Sequence, residues 1–320
     1  MATLSAILLV SCTSSTDSSS SIHLSKAWTA EEELLVGSFG NVTVDENGNV
    51  FACDTENHTI LKYDSMGTFV TQTGREGAGP GEFKALNDLE VFGDTVYVVD
   101  KTNRRINLFT TNLEYIRQVG FPRKAPDLKQ IAFDDQGHLY GAGTGMEEDD
   151  WLLHGVLQED STRFVELSHV HGDMVYDQFK ISTSRPHDLL AVSYAFKDTL
   201  ELLRFPDKPL NDFPIIRDHS HEPPPPVAKD VAEVKARPMP DANDFVTWDM
   251  SSDERGYIWV LAGNYANPTK QVLYVYNSEG KRVAKTTSPS KIYGFTIRDK
   301  SLYATTDNST NITKYNITYQ

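Results

Sequence analysis

Only two cysteines, Cys12 and Cys53, occur among the 320 residues. Two thiols allow one intrachain disulfide at most, which excludes a disulfide-stapled scaffold. No apolar run approaches the ~20 residues that a membrane-crossing helix needs. Basic residues are outnumbered, 30 Lys and Arg against 45 Asp and Glu, for a net charge of −15. That field repels phosphate backbones and anionic headgroups, so nucleic acid is not an expected partner. No segment sustains a helical apolar period. Gly-x-Ser-x-Gly is missing, as is any other local signature of Ser-His-Asp or Cys-His catalysis.

What is present is a repeat. Val42–Gly74 and Leu89–Gly120 align throughout. Each has an alternating strand, a tight turn, and a second strand ending in Asp (Asp54, Asp100). Asn follows three positions later (Asn57, Asn103), then a third strand ending in an aromatic (Tyr63, Phe109) and a fourth ending in Gly (Gly74, Gly120). Further copies start at Ile131, Phe179, Trp248 and Gly294. First strands thus begin near residues 42, 89, 131, 179, 248 and 294, at intervals of 47, 42, 48, 69 and 46. The long interval contains the stretch HSHEPPPPVAKD (His219–Asp230), an insertion of about 218–244.

Six four-stranded units of this length predict an all-β, six-bladed β-propeller. The last unit has three strands before the chain ends. Its fourth is expected from the N-terminus, from Glu32–Ser38, which would close the ring and remove an exposed edge. The stretch GREGAGPGEF (Gly74–Phe83) then falls between two blades. Its glycines permit a sharp crossing, Pro80 fixes one angle, and Phe83 is expected to plug the gap between sheets. A phosphate cradle is excluded by context, since no helix follows.

GREGAGPGEF, with TVYVVDKTNRRINLF downstream, resembles an NHL-type repeat. The chain as a whole resembles the six-bladed NHL-like propellers of bacterial envelope lipoproteins. The segment SAILLVSC (Ser5–Cys12) followed by TSSTDSSSS resembles a lipoprotein signal with Leu9–Cys12 as lipobox. That likeness implies cleavage before Cys12, lipidation of its thiol, and a lipid anchor on the periplasmic or extracellular side of the envelope. The segment MATLS before the apolar run lacks the Lys or Arg that export signals carry, and an incidental cysteine in a disordered N-terminus is the alternative. The expected division is a signal over 1–12, a Ser-rich tether over 13–31 and a propeller over 32–320.

Asp54 and Asp100 recur at one repeat position, so they are expected to brace a turn rather than hold a ligand. Cys53 aligns with Val99 and is expected to act as a small buried hydrophobe. Asn41, Asn87, Asp88, Asp177, Asn243 and Asp244 stand at or just before first strands, around the channel mouth. Lactonases of this architecture hold Ca²⁺ with such oxygens there, while the plain reading is turn capping. His169/His171 and His219/His221 are His-x-His pairs that could each grip Zn²⁺ on an extended strand, or be solvated loop residues. Sequons begin at Asn41, Asn57, Asn308, Asn311 and Asn316, and are read as chance in a Thr- and Asn-rich chain. The elaborated loops, including Met146–Trp151, His169–Asp177 and the insertion with its tetraproline, map to one face. A monomer binding a peptide, glycan or protein partner on that face is the expected function. A metal-dependent hydrolase or lyase at the channel mouth is the alternative.

Overall fold

Short alternating strands must bury one face each, and six twisted sheets do so by stacking radially into a ring. A computed structural model describes residues 20–30, 35–121, 127–144, 150–157, 162–170, 179–194, 199–204, 208–214, 245–264 and 271–320. Strand β1 is Ser20–Thr29. Blade 1 contains β2 (Phe39–Val44), β3 (Val50–Asp54), β4 (Thr59–Tyr63) and β5 (Phe69–Thr73). Blade 2 contains β6 (Leu86–Phe92), β7 (Thr95–Asp100), β8 (Arg105–Thr110) and β9 (Tyr115–Gly120). Blade 3 contains β10 (Asp127–Phe133), β11 (Leu139–Thr144), β12 (Asp150–Leu157) and β13 (Thr162–Val170). Blade 4 contains β14 (Phe179–Ser184), β15 (Leu189–Tyr194), β16 (Thr199–Arg204) and β17 (Lys208–Pro214). Blade 5 contains β18 (Phe245–Ser252), β19 (Ile258–Asn264), β20 (Gln271–Tyr276) and β21 (Arg282–Thr287). Blade 6 contains β22 (Gly294–Arg298), β23 (Ser301–Thr306) and β24 (Asn311–Tyr319), with β1 as its outer strand.

Each blade is an antiparallel meander, and β2, β6, β10, β14, β18 and β22 touch in sequence around the ring. The apolar cores lie between blades. Phe51, Cys53 and Ile60 of blade 1 pack on Leu89, Val96 and Phe109 of blade 2, with Phe83 of the joint fully buried among them. Its ring lies 6.0 Å from that of Phe109, so this joint plugs the inter-sheet gap as expected. Gly74 has φ +102, and a Cβ there would come within 2.7 Å of Phe83, so glycine is required. Arg105 fixes the rest of the joint by donating to the carbonyls of Ala78, Gly79 and Glu82.

Ring closure uses a different segment from the one the sequence suggested. β1 pairs antiparallel with β24, from Ile22 opposite Tyr319 to Thr29 opposite Thr313. Ser20 and Ser21 also pair in parallel with Ala284 and Lys285 of β21, which ties blades 5 and 6 into one sheet. Of the expected closing segment, residues 32–34 lie outside the described ones and Leu35 is 98% exposed. The reason is alternation: Ile22 and Leu24 enter the core between blades 5 and 6, while His23 and Ser25 face out. Strand β1, Ser20–Thr29, therefore lies within the stretch read as tether.

Candidate functional site

The inner strands set the channel. In four of them the pairing with the next strand shifts at one place: Phe39/Val42, Leu86/Asp88, Leu128/Gln130 and Thr247/Asp249. Bulges of this kind re-aim side chains. Just beyond them lies one tier of equivalent positions: Asn41, Asp88, Gln130, Lys180, Asp249 and Gly294. The residues that follow (Val42, Leu89, Ile131, Ile181, Met250, Phe295) are all buried, so alternation turns the tier toward the channel.

The tier is knitted from blade to blade. Asn41 Nδ2 donates to Asp88 Oδ1. The Ile131 N–H donates to Asp88 Oδ2 at 2.7 Å, and the Ile181 N–H donates to Gln130 Oε1 at 2.8 Å. Lys180 Nζ lies 3.6 Å from Asp249 Oδ1, and the Phe295 N–H donates to Asp249 Oδ2 at 2.8 Å. Gly294 has no side chain to add, and a Cβ there would lie 3.4 Å from Asn41 Oδ1 and 3.5 Å from Asp249 Oδ2. Asp88 and Asp249 are both buried. Burial pushes the Asp88 carboxyl up to about 7, against the pull of the Asn41 and Ile131 hydrogen bonds. Burial also raises the Asp249 carboxyl, opposed first by the Lys180 charge.

Beside this tier is a cavity of about 250 Å³. Its wall is the next channel-facing tier: Thr43, Glu90, Ala132, Ser182, Ser251 and Thr296. Asn41 and Gln130 form its inner end. Pro186, Glu254 and Arg298 stand at its mouth, among the turns that join first to second strands. Those turns are held by Asp45, Asp134 and Asp253. Each accepts from the backbone N–H groups two and four residues on, ahead of a glycine with positive φ (Gly48, Gly137, Gly256).

The expected residues divide as follows. Asn41 joins the channel tier, and Asn87 donates from Nδ2 to the Lys129 carbonyl of the next blade. Asp88 spends both carboxylate oxygens between blades. Cys12, His171, Asp177, His219, His221, Asn243 and Asp244 lie outside the described residues, and His169 is the penultimate residue of β13. Asp54 does brace its turn and the preceding joint, accepting from the N–H groups of Gly37, Ser38, Glu56 and Asn57. Asp100 does the same for Lys84, Ala85 and Asn103. Cys53 is buried, and burial pushes its thiol up to about 12, as befits a packing residue.

The cavity was not anticipated. Its signal lay in the second channel-facing residue of each first strand, where small or hydroxylated side chains stand in five blades out of six. It opens on the face that carries the turns between first and second strands.

Residues 20–164 match a family described as a 6-bladed beta-propeller, DUF5128. No curated protein matches the chain in sequence. Among solved structures, a DUF4221 family member from Bacteroides vulgatus superposes with a TM-score of 0.62 at 12% identity, over 93% of this chain and 99% of that one. A gluconolactonase from Xanthomonas campestris does so with 0.60 at 12%, over 88% and 86%. A virginiamycin B lyase from Staphylococcus aureus, an inactive variant solved with quinupristin, gives 0.55 at 10%, over 95% and 97%. At such identities the likeness is one of fold. Repeat spacing, strand topology and these likenesses agree that the chain is a six-bladed β-propeller whose last blade is completed by its first strand.

Proposed function

We propose that this is a binding propeller of the NHL-like type, held at a bacterial envelope by a lipid on Cys12, which recognises a peptide, glycan or protein partner on its elaborated loop face. The observation that carries the reading is the length of one joint. Thirty residues, 215–244, connect β17 to β18, against six between β9 and β10 and six between β21 and β22. Long connections on one face of a rigid scaffold are where recognition is built. The tether supports the same orientation. Ser20 lies beside Ala284, and neighbouring Ile22 beside Tyr319, at the end of blade 6 away from the loop-bearing joints. Eight residues from Cys12 to Ser20 reach at most about 30 Å. The loop face then points away from the membrane.

The alternative, a metal-dependent hydrolase or lyase with Ca²⁺ or Zn²⁺ at the channel mouth, draws on the lactonase and lyase that share the fold. It is weakened by Asp88, a candidate carboxylate whose two oxygens are taken by Asn41 and Ile131.

The test replaces Ser220–Asn243 with a short Gly-Ser linker and compares both forms on glycan and peptide arrays. Loss of array binding with an unchanged melting temperature is the expected result. Equal binding by the two forms rejects the loop face. Stoichiometric Ca²⁺ or Zn²⁺ in the purified protein, lost on changing Asn41 or Asn87, would favour the enzyme.

A further inference from the structure

The channel cavity is independent of that loop face and opens on the side that carries the turns between first and second strands. We propose that it is a binding site for one small polyhydroxylated molecule of monosaccharide size, either uncharged or bearing an amine.

Size comes first. At about 250 Å³ the cavity falls below the ~300–1,000 Å³ typical of drug-sized ligands. A peptide or an oligosaccharide cannot be enclosed there, whereas a single ring can. Chemistry comes second. Four of six blades direct a hydroxyl inward from one tier: Thr43, Ser182, Ser251 and Thr296. A hydroxyl offers one donor and two acceptor sites. Thr43 Oγ1 lies 3.4 Å from Glu90 Oε2, and Ser251 Oγ lies 3.5 Å from Thr296 Oγ1. Ser182 Oγ is also paired with Ser252 Oγ at 2.8 Å, and Ser251 Oγ accepts from the Ile297 N–H at 3.2 Å. The contacts within the tier are long and each hydroxyl has three hydrogen-bonding sites, so capacity remains for a guest. The amides of Asn41 and Gln130 add polar groups at the inner end. Such a wall suits a ligand whose rim is hydroxyls, since each can donate to one neighbour and accept from another.

Charge comes third. Glu90 stands in the wall and Asp253 and Glu254 at the mouth. The lining's one cation, Arg298, has its Nε 3.8 Å from Glu254 Oε1. Arg255 pairs with Asp253 at 2.8 Å, and acidic groups still outnumber cations here by three to two, a balance that disfavours carboxylated or phosphorylated sugars and favours an amine. Ala132 is the single apolar member of the tier and its smallest side chain, so a larger residue there would project into the cavity.

The experiment is calorimetric titration of the propeller with D-glucose, myo-inositol and D-glucosamine, with D-gluconate as the anionic control. Saturable binding of at least one of the first three is expected, with gluconate at least tenfold weaker. Ala132→Phe should fill the cavity and weaken binding at least tenfold while the melting temperature holds. Thr296→Val, which removes one hydroxyl at nearly constant volume, should weaken it about threefold to tenfold, and it carries the test should Ala132→Phe unfold. No saturable binding by any of the three probes overturns the proposal. So does gluconate binding as tightly as glucose, or unaltered affinity in a folded Ala132→Phe or Thr296→Val protein. The loop replacement leaves these titrations unchanged if the two sites are separate, so failure here and failure of the loop face are read independently.

Discussion

The Ile131 N–H of blade 3 donates at 2.7 Å to Asp88 Oδ2 of blade 2, and Asp88 is buried where the two inner strands meet. A carboxyl in that place couples the ring to pH. In the fold it is pushed up to about 7, against an ordinary value of 3.8. Between those values the folded chain keeps a proton that the unfolded chain has released. Stability from this group is therefore greatest below the ordinary value and is lost as pH rises toward 7, with a slope of at most about 1.4 kcal/mol per pH unit. Asp88→Asn stays neutral throughout and can still accept from Ile131. Its urea midpoint should vary less than wild type between pH 4.5 and 7 and equal or exceed it at pH 8. Parallel pH profiles for the two proteins would show that Asp88 does not titrate in this window.

Phe83 should be the costliest residue of the first joint. It is fully buried between blades 1 and 2, and Phe→Ala in such a setting costs about 3–5 kcal/mol. Gly74→Ala should also destabilise, because the new Cβ would lie 2.7 Å from Phe83 and 2.8 Å from the His58 carbonyl. Chemical denaturation measures both. A loss under 1 kcal/mol for Phe83→Ala would mean that the joint repacks and is not a plug.

Parts of this architecture are legible in the sequence because they rest on neighbours along the chain. The turns at Asp45/Gly48, Asp134/Gly137 and Asp253/Gly256 announce themselves, since one carboxylate accepts from local N–H groups and one glycine takes a positive φ. Strand spacing follows from them. The closing strand was harder. Ile22 and Leu24 supply only two alternating apolar residues, and Leu34–Val36 look more hydrophobic while packing is what decides. The channel tier was harder still. Asn41 meets Asp88 from 47 residues away, and Lys180 meets Asp249 from 69, so no local pattern marks either pair.

Cys12 should decide localisation. The apolar Ala6–Val10 stretch is short, and a single acyl chain binds membranes marginally while several hold firmly. Cys12→Ser should move the protein from the membrane to the soluble fraction or leave an uncleaved precursor, and should abolish incorporation of labelled palmitate. Unchanged partitioning and labelling in that variant would refute lipidation.

Two truncations test ring closure, and they differ by one strand. Removing residues through Ser19 leaves β1 whole, so melting should match the longer chain. Removing residues through Ala30 deletes the outer strand of blade 6. β24 then shows an unpaired edge, and the parallel contact with β21 disappears. Ile22 and Leu24 leave the core between blades 5 and 6, at about 1.5–3 kcal/mol for each buried aliphatic side chain. Trp28 leaves the surface of Gly67, where its ring packs and its Nε1–H reaches the Ser65 carbonyl at 3.2 Å. Domains of this kind have only about 5–15 kcal/mol of net stability, so the shorter form should melt far lower or aggregate through its open edge. Leu24→Asp within the full chain should reproduce much of the loss without shortening anything, because it buries an unpaired carboxylate where a side chain now packs. Equal melting temperatures for the two truncations would mean that blade 6 is stable with three strands and that β1 is an ornament to the ring, not its clasp.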